Sequence, residues 1–218
     1  MIKAIQKNGL ILGAFALVTT SIIAVTYSLT HERIDAAKER QLLGTLNQVV
    51  VPSLHDNQLH IDCIRVDNSE LLGKADQRVF RARLQQTNTA LIIETTAPNG
   101  YSGAIDMVVA VDTNMNVLGT RVVAHKETPG LGDKIDLRIS DWILSFNNVP
   151  YNEAVKDRWQ VKKDGGRFDQ FTGATITPRA VVSAAAKAAE FAQQNMDTLF
   201  SRPANCASSE PATQGKAS

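Results

Sequence analysis

From Gly9 to Leu29 no side chain is charged, and this run constrains the rest of the chain more than any other feature. As a helix, its twenty-one residues extend about 32 Å at about 1.5 Å per residue, matching the roughly 30 Å hydrocarbon core of a bilayer. Lys3 and Lys7 precede it, as basic residues precede a secretory signal. The run is longer than the apolar part of such a signal and no clear Ala-x-Ala cleavage site succeeds it, so a retained anchor is the better reading. A globular core has to be built from the residues beyond Leu29.

Charge alone does not orient the anchor, because Lys3, Lys7 and the terminal amine lie on one side and Arg33, Lys38 and Arg40 on the other. Long domains cross a membrane regardless of nearby charge. The expected arrangement is therefore a cytoplasmic N-terminus at residues 1–8, a transmembrane helix at 9–29 and a periplasmic remainder, in a single-pass protein of the inner membrane.

The 218 residues are 44% hydrophobic and 21% charged, enough for one domain with a buried core. The net charge is +1 and the basic residues are scattered. Without the basic stripe that a nucleic-acid backbone demands, nucleic acid is not an expected partner. Cys63 and Cys206 have no further Cys pair or neighbouring His to complete a metal set. They can form a disulfide in an oxidising compartment, but Cys206 falls in a tail poor in large apolar groups, which favours a free or inert thiol.

After the anchor, Ile34, Leu42, Leu43, Leu46 and Val50 recur among charges at helical spacing, which predicts a connecting amphipathic helix within residues 30–55, ended by Pro52 and Ser53. Leu59–Val66, Val79–Leu84 and Ala90–Thr95 have the Val, Ile and Thr content of strands. Tyr101–His125 alternates on either side of Asp112-Thr113-Asn114-Met115-Asn116, which predicts a hairpin. Leu137–Phe146 suggests a short helix, and Trp159–Lys163 a strand closed by Asp164-Gly165-Gly166. From Pro178 to Phe200, Val181, Ala185, Ala189, Ala192, Met196 and Leu199 mark one face of a helix, with Thr177 as its N-cap. The expected fold class is α+β, an antiparallel sheet with packed helices in residues 56–200, preceded by one N-terminal transmembrane helix. Residues 201–218 read as a disordered tail.

Asp169-Gln170-Phe171-Thr172-Gly173-Ala174-Thr175 sets a hydroxyl on a glycine-containing turn just before that helix. Unpaired amides and the helix dipole favour a phosphate at such a place. Gly173 lets the backbone approach, Ala174 adds no bulk, and Arg179 in the first turn can pair with a phosphoryl oxygen. Asp169 can hold Mg²⁺ or orient the acceptor hydroxyl, although a surface turn aspartate accounts for it equally well. Thr172 to Thr175 also fits a plain turn leading into a capped helix.

The seven residues are similar to the flavinylation sequence at which a flavin transferase attaches FMN, through a phosphoester, to the last threonine, here Thr175. His125-Lys126-Glu127-Thr128-Pro129-Gly130-Leu131-Gly132 resembles the loop that accompanies this site in the FMN-binding domains of the RnfG (RsxG) family and of the related flavoprotein of the sodium-pumping quinone reductases. In that loop Pro129, Gly130 and Gly132 make a tight turn able to lie against a planar ring. Glu127 and Thr128 can bond the ring's polar edge, and Leu131 belongs to the same surface. His125 reads as a packing or loop residue. Gly100-Tyr101-Ser102-Gly103-Ala104-Ile105 matches the family's Gly-Tyr-x-Gly-x-Ile pattern, so the likeness covers about residues 9–200. Thr172 stands where Ser is commoner and supplies the same hydroxyl.

The resemblance implies an electron-carrying component of an ion-translocating electron transport complex, with covalent FMN, no resident metal and no turnover alone. It also implies other membrane subunits, the lipid bilayer and, during maturation, a flavin transferase as partners. Two other classes remain beside it. A hydrolase with Ser102 or Thr175 as nucleophile would need a base and an orienting acid, for which four His and no Gly-x-Ser-x-Gly elbow give little support. A membrane-anchored binding or assembly module would hold flavin reversibly or not at all.

Overall fold

A computed structural model describes residues 2–206. The chain forms two compact units, Met1–Leu42 and Leu43–Ser218. Helix α1 (Ile2–Val49) runs through the first unit into the second without interruption, so the expected anchor and connecting helix are one element. Its candidate membrane span, Gln6–Ile34, contains the expected run. Hydroxyls inside that span return to carbonyls one turn earlier, Thr20 to Ala16 at 2.7 Å and Thr26 to Ile22 at 2.8 Å. No polar side chain there needs water to satisfy it at those positions. Pro52 begins a short 3₁₀ turn (Pro52–Leu54) where the helix has ended, as its missing N–H requires.

The second unit is built on six antiparallel strands in sequence order: β1 (Cys63–Val66), β2 (Gln77–Leu84), β3 (Thr87–Ala97), β4 (Ile105–Asp112), β5 (Asn116–Ala124) and β6 (Val149–Pro150). Helix α2 (Ser69–Leu72) lies between β1 and β2, and helix α3 (Ile176–Ser201) comes after the sheet. The predicted hairpin is β4 and β5, its turn tied by Asp112 Oδ1, which accepts from the amides of Asn114 and Asn116. The strand expected over Leu59–Val66 is confined to β1, because residues 58–62 make a local turn.

Alternation sorts the strands into two buried faces. Leu91, Ile93, Met107, Val109, Val111 and Val117 share a core with Val181, Ala185, Ala188, Ala189 and Ala192 of α3. The alanines let the helix lie close to the sheet, and each fully buried Leu, Ile, Val or Phe contributes about 1.5–3 kcal/mol over exposure. Phe80, Ile92, Val108 and Ala110 point to the other face and are also buried, as are Leu46, Val49 and Val50 at the end of α1. There Arg121, buried on β5, donates to the carbonyls of Thr120 (2.7 Å) and Gln48 (3.4 Å). Burial lowers its pKa from the ordinary guanidinium value.

Two sequence expectations change between β5 and α3. The segment Trp159–Lys163 is not a strand: it leaves one 3₁₀ turn (Lys156–Arg158), enters another (Lys162–Asp164), and pairs only through a single bridge from Val161 to Phe168. Trp159 and Val161 are buried and Gln160 is exposed, the alternation of a strand, yet Gly165 at φ +89° turns the chain after too few residues for a ladder. The predicted helix at Leu137–Phe146 shortens to a 3₁₀ helix, Asp141–Phe146, capped by Ser140 Oγ. Trp142, Phe146, Trp159, Phe168 and Phe171 pack edge to face, tilted or stacked with centroids 4.3–6.0 Å apart.

The cysteines also depart from expectation, since Cys63 and Cys206 form a disulfide with Cα atoms 5.5 Å apart. Residues 202–206, expected in the disordered tail, run back along β1: Asn205 N–H donates to Cys63 O (3.0 Å) and Arg65 N–H to Asn205 Oδ1 (2.7 Å). An edge strand with free backbone groups captures the segment that composition alone leaves unstructured. The rest of the expected tail, residues 207–218, lies outside the described residues.

Candidate functional site

Two turns of the same kind face each other across a cleft. In the first, Ala174 N–H donates to Phe171 O (3.2 Å) and Gly173 sits at φ +82°. In the second, Leu131 N–H donates to Thr128 O (3.2 Å), Pro129 takes the second position and Gly130 has φ +79°. Both place glycine third in a four-residue turn, where φ is positive and other residues are strained. The first delivers Thr175 directly to the start of α3, and the second forms the loop that begins at His125.

Thr175, not Thr177, occupies the N-cap position of α3, and its hydroxyl makes no capping bond. Sequence spacing favoured Thr177 as the cap, but Thr177 lies inside the first turn, fully buried, and donates through Oγ1 to Glu127 Oε2 at 2.5 Å. The two hydroxyls have therefore separated by role. Thr177 is enclosed and bonded, while Thr175 is half-buried and lines the cleft.

That cleft has a volume of about 290 Å³ and is walled by Tyr101, Thr128, Leu131, Thr175 and Ile176, with Glu127 at its floor. Tyr101 is 68% exposed, Ile176 48% and Leu131 43%, large apolar surfaces left open around a concave site. A volume at the lower edge of cofactor sites, roughly 300–1,000 Å³, suits a planar ring better than a whole nucleotide. The rest of a flavin nucleotide would lie along the rim toward the helix start, where the amides of Ile176 and Thr177 precede the first intrahelical bonds. FMN thus fits the shape and chemistry of the site.

The remaining sequence candidates are placed less directly. Arg179 is turned from the cleft and makes a two-pronged pair with Asp164, Nε to Oδ2 at 2.6 Å and Nη2 to Oδ1 at 2.7 Å. This hydrogen bonding holds the Asp164 carboxyl below its usual pKa and raises that of Arg179. Asp169 pairs with Lys162 at 2.6 Å, both exposed, and its backbone carbonyl accepts from the indole of Trp142 (2.8 Å). Trp142 also lies edge to face on Phe171, 5.0 Å between centroids. The aromatic cluster thereby fixes the residues upstream of the turn, leaving Thr172 and Gly173 exposed. No group of three His, Cys, Asp or Glu among the described residues can hold a metal ion.

His125 is a positioning loop residue: its Nδ1 accepts from Glu127 N–H (3.1 Å), and Nε2 stands 3.8 Å from Asp136 Oδ2. Asp136 is buried, and hydrogen bonds from Arg138 hold its carboxyl below the usual range against the opposing effect of burial. Ser102, the other candidate nucleophile, offers its backbone N–H to Glu127 Oε1 (3.0 Å), and no base touches its hydroxyl among the described residues. Tyr101, Ile176 and Thr177 were absent from the sequence-derived flavin set. Tyr101 was within reach, since a large aromatic beside two glycines marks an exposed ring on a thin loop.

The profile of the FMN-binding domain family matches residues 100–190, and that of the RnfG N-terminal region matches residues 1–49. Among characterised proteins, the chain is 50% identical over 206 residues to the G component of the ion-translocating oxidoreductase complex of Vibrio cholerae, covering 94% of this chain and 99% of that one. The protein of the same name from Pseudoalteromonas atlantica is 49% identical over 216 residues, covering 99% and 100%, and that from Vibrio atlanticus 48% over 206 residues, covering 94% and 99%. With an N-terminal candidate transmembrane helix, a six-stranded antiparallel FMN-binding domain and relatives matched from end to end, this chain belongs to the RnfG family, the G components of the ion-translocating oxidoreductase complexes.

Proposed function

We propose that the protein is the electron-carrying RnfG component of such a complex and that its FMN is joined by a phosphoester to Thr175. The observation that carries the attachment is the contrast between the two hydroxyls: Thr175 lines the cleft and makes no capping bond, and Thr177 is buried in a hydrogen bond. In the transfer, Thr175 Oγ forms a bond to the flavin phosphorus as the phosphoanhydride to the rest of a flavin dinucleotide breaks. The hydroxyl proton leaves to a base of the transferase. Asp169 and Thr172, both exposed, offer that partner a surface to read, and Arg179 becomes a phosphate ligand only on leaving Asp164.

FMN supplies one- and two-electron transfer. The protein's part is to hold the ring: Tyr101 and Leu131 flank it, Thr128 supplies a polar contact, the two glycine turns bring backbone close, and the start of α3 stabilises phosphate charge. The domain works in the periplasm, anchored by α1 beside the other membrane subunits. A disulfide persists in oxidising compartments and is rare in the cytosol, so the Cys63–Cys206 bond supports this orientation.

Peptide mass analysis of protein from its native host tests the reading, together with flavin fluorescence on a denaturing gel. The expected result is one flavin phosphate on the peptide containing Thr175 and a dark band for Thr175→Ala. A dark wild-type band from cells that contain the transferase overturns covalent attachment and leaves a protein with reversibly bound or no flavin.

A further inference from the structure

Three stretches of chain wall the cleft, and all three meet at one carboxylate. Glu127 belongs to the loop that continues through Thr128 and Leu131. Its Oε1 accepts from the backbone N–H of Ser102, next to Tyr101, at 3.0 Å. Its Oε2 accepts from Thr177 Oγ1, two residues after Thr175, at 2.5 Å. The residue is 5% exposed and its own N–H is held by His125 Nδ1. With each oxygen accepting a bond from another stretch of chain and little surface exposed, the carboxylate acts first on the cleft's own walls, beside any polar contact it makes with a flavin ring.

The surroundings are shaped for this arrangement. A Cβ at Gly132 would stand 2.6 Å from Oε2 and 2.9 Å from Thr177 Oγ1, and one at Gly100 would stand 2.9 Å from Oε1. At Gly132 the carboxylate itself is the nearest obstacle to a side chain; at Gly100, in the connection between β3 and β4, the Gly103 carbonyl stands closer still and adds to it. A buried carboxylate without a neighbouring cation is costly, and two donors from separate elements offset that cost while tying those elements together. Among the described residues no ion pair involves Glu127.

We infer that Glu127 is a positioning residue for the flavin: by bonding Ser102 and Thr177 it sets Tyr101, the 128–132 turn and Thr175 in register, and so fixes where the ring sits and its electronic surroundings. This rests on the reading that flavin occupies the cleft. Glu127→Gln keeps the shape. Its amide can still accept from Ser102 N–H, but its NH₂ must then donate to Thr177, whose own hydroxyl proton loses its acceptor. Gly132→Ala reaches the same bond without substituting either partner, since its methyl crowds both Glu127 Oε2 and Thr177 Oγ1 and the carboxylate has to give way.

The test uses the full-length protein from its native host and is read per mole of bound flavin. Glu127→Gln is expected to shift the flavin midpoint potential and visible spectrum and to raise flavin fluorescence through freer motion beside Tyr101. Gly132→Ala should shift all three in the same direction, and the double variant should shift them no further than either single one. A second arm measures hydrogen exchange in the Thr175→Ala background, where the attachment hydroxyl is gone. Glu127→Gln should there accelerate exchange in segments 100–103, 128–132 and 173–177 together. Wild-type flavin properties in Glu127→Gln, additive shifts in the double variant, or faster exchange confined to the 127–132 loop each overturn the positioning role. Wild-type protein lacking flavin at Thr175 refutes covalent attachment instead, and the exchange arm still decides on Glu127.

Discussion

The two ends of α3 carry opposite solutions to the same problem. A helix leaves donors unpaired at its start and acceptors unpaired at its finish. At the finish side chains take up the last carbonyls: Arg81 Nη1 donates to those of Leu199 (3.2 Å), Phe200 (3.4 Å) and Arg202, and Arg83 Nη2 donates to Phe200 O (2.9 Å). Asp62 takes the remaining charge of both arginines, at 2.5 Å and 2.9 Å, and the disulfide closes the end behind them. At the start, Thr175 withholds its hydroxyl from capping and large apolar side chains stand open. One end is closed by the protein's own side chains, and the other is the end that the proposed flavin would complete. The 26 residues between them span about 39 Å, too far for the disulfide to act on the flavin except through the fold.

The strongest perturbation of this contrast is at the closed end. Cys206→Ser opens a loop of 143 residues and should cost on the order of 4 kcal/mol, because unfolded conformations that the bond forbade become available. Thermal melting should show a large drop, and reductant should lower wild type to the same value and leave the variant unmoved. Flavin attachment at the open end should persist below the melting point. Equal loss of attachment and stability would mean that the ends are not independent.

Gly173→Ala applies a smaller stress at the open end. A non-glycine residue at φ +82° costs about 1–2 kcal/mol, and the turn can relieve that strain by moving Thr175. Flavin occupancy by peptide mass should therefore fall more steeply than the melting temperature. A variant with lower stability and full occupancy would show that the turn need not be held in this form.

How far the contrast was legible in the sequence differs by end. At the open end each turn was legible from local grammar, a glycine turn with a hydroxyl before a helix and a Pro-Gly loop, while the family resemblance brought the two together. What failed there was the cap, since Thr177 and Thr175 both satisfy the spacing rule and only Glu127, 50 residues away in the chain, separates them. The closed end was nearly invisible. Arg81 and Leu199 are 118 residues apart and Cys63 and Cys206 143 apart, and a polar tail gives no sign that Asn205 will bond to β1. β3, β4, β5 and the buried face of α3 emerged from periodicity because long runs average over local accidents. Trp159–Val161 is too short for that averaging, and its in-out alternation belongs to turns around an aromatic cluster.

Acid gives a gentler probe of the loop beneath the cleft. The folded-state pKa of Asp136 is depressed, chiefly by hydrogen bonding from Arg138. A depressed carboxyl contributes stability that is complete above its unfolded value, near 3.9, and lost as pH falls through the lower folded value. Arg138 is 81% exposed, so solvent screens the pair and the effect is modest. Asp136→Asn should lower stability modestly at neutral pH, flatten the acid limb of the profile and converge with wild type at low pH. A variant whose acid limb matches wild type would remove Asp136 from the account of loop stability.

The smallest effect on stability belongs to the residue with the largest effect on function. Replacing a capping threonine with alanine commonly costs about 0.5–2 kcal/mol, because the side-chain oxygen satisfies a helix amide. Thr175 makes no such bond, so Thr175→Ala in flavin-free protein should change stability by less than about 0.5 kcal/mol, the range of substitutions that break no specific feature. The same substitution should abolish covalent flavin. A cost near that of an ordinary cap would mean that the hydroxyl is used by the helix in solution, and that flavin attachment competes with capping instead of filling a place the fold leaves open.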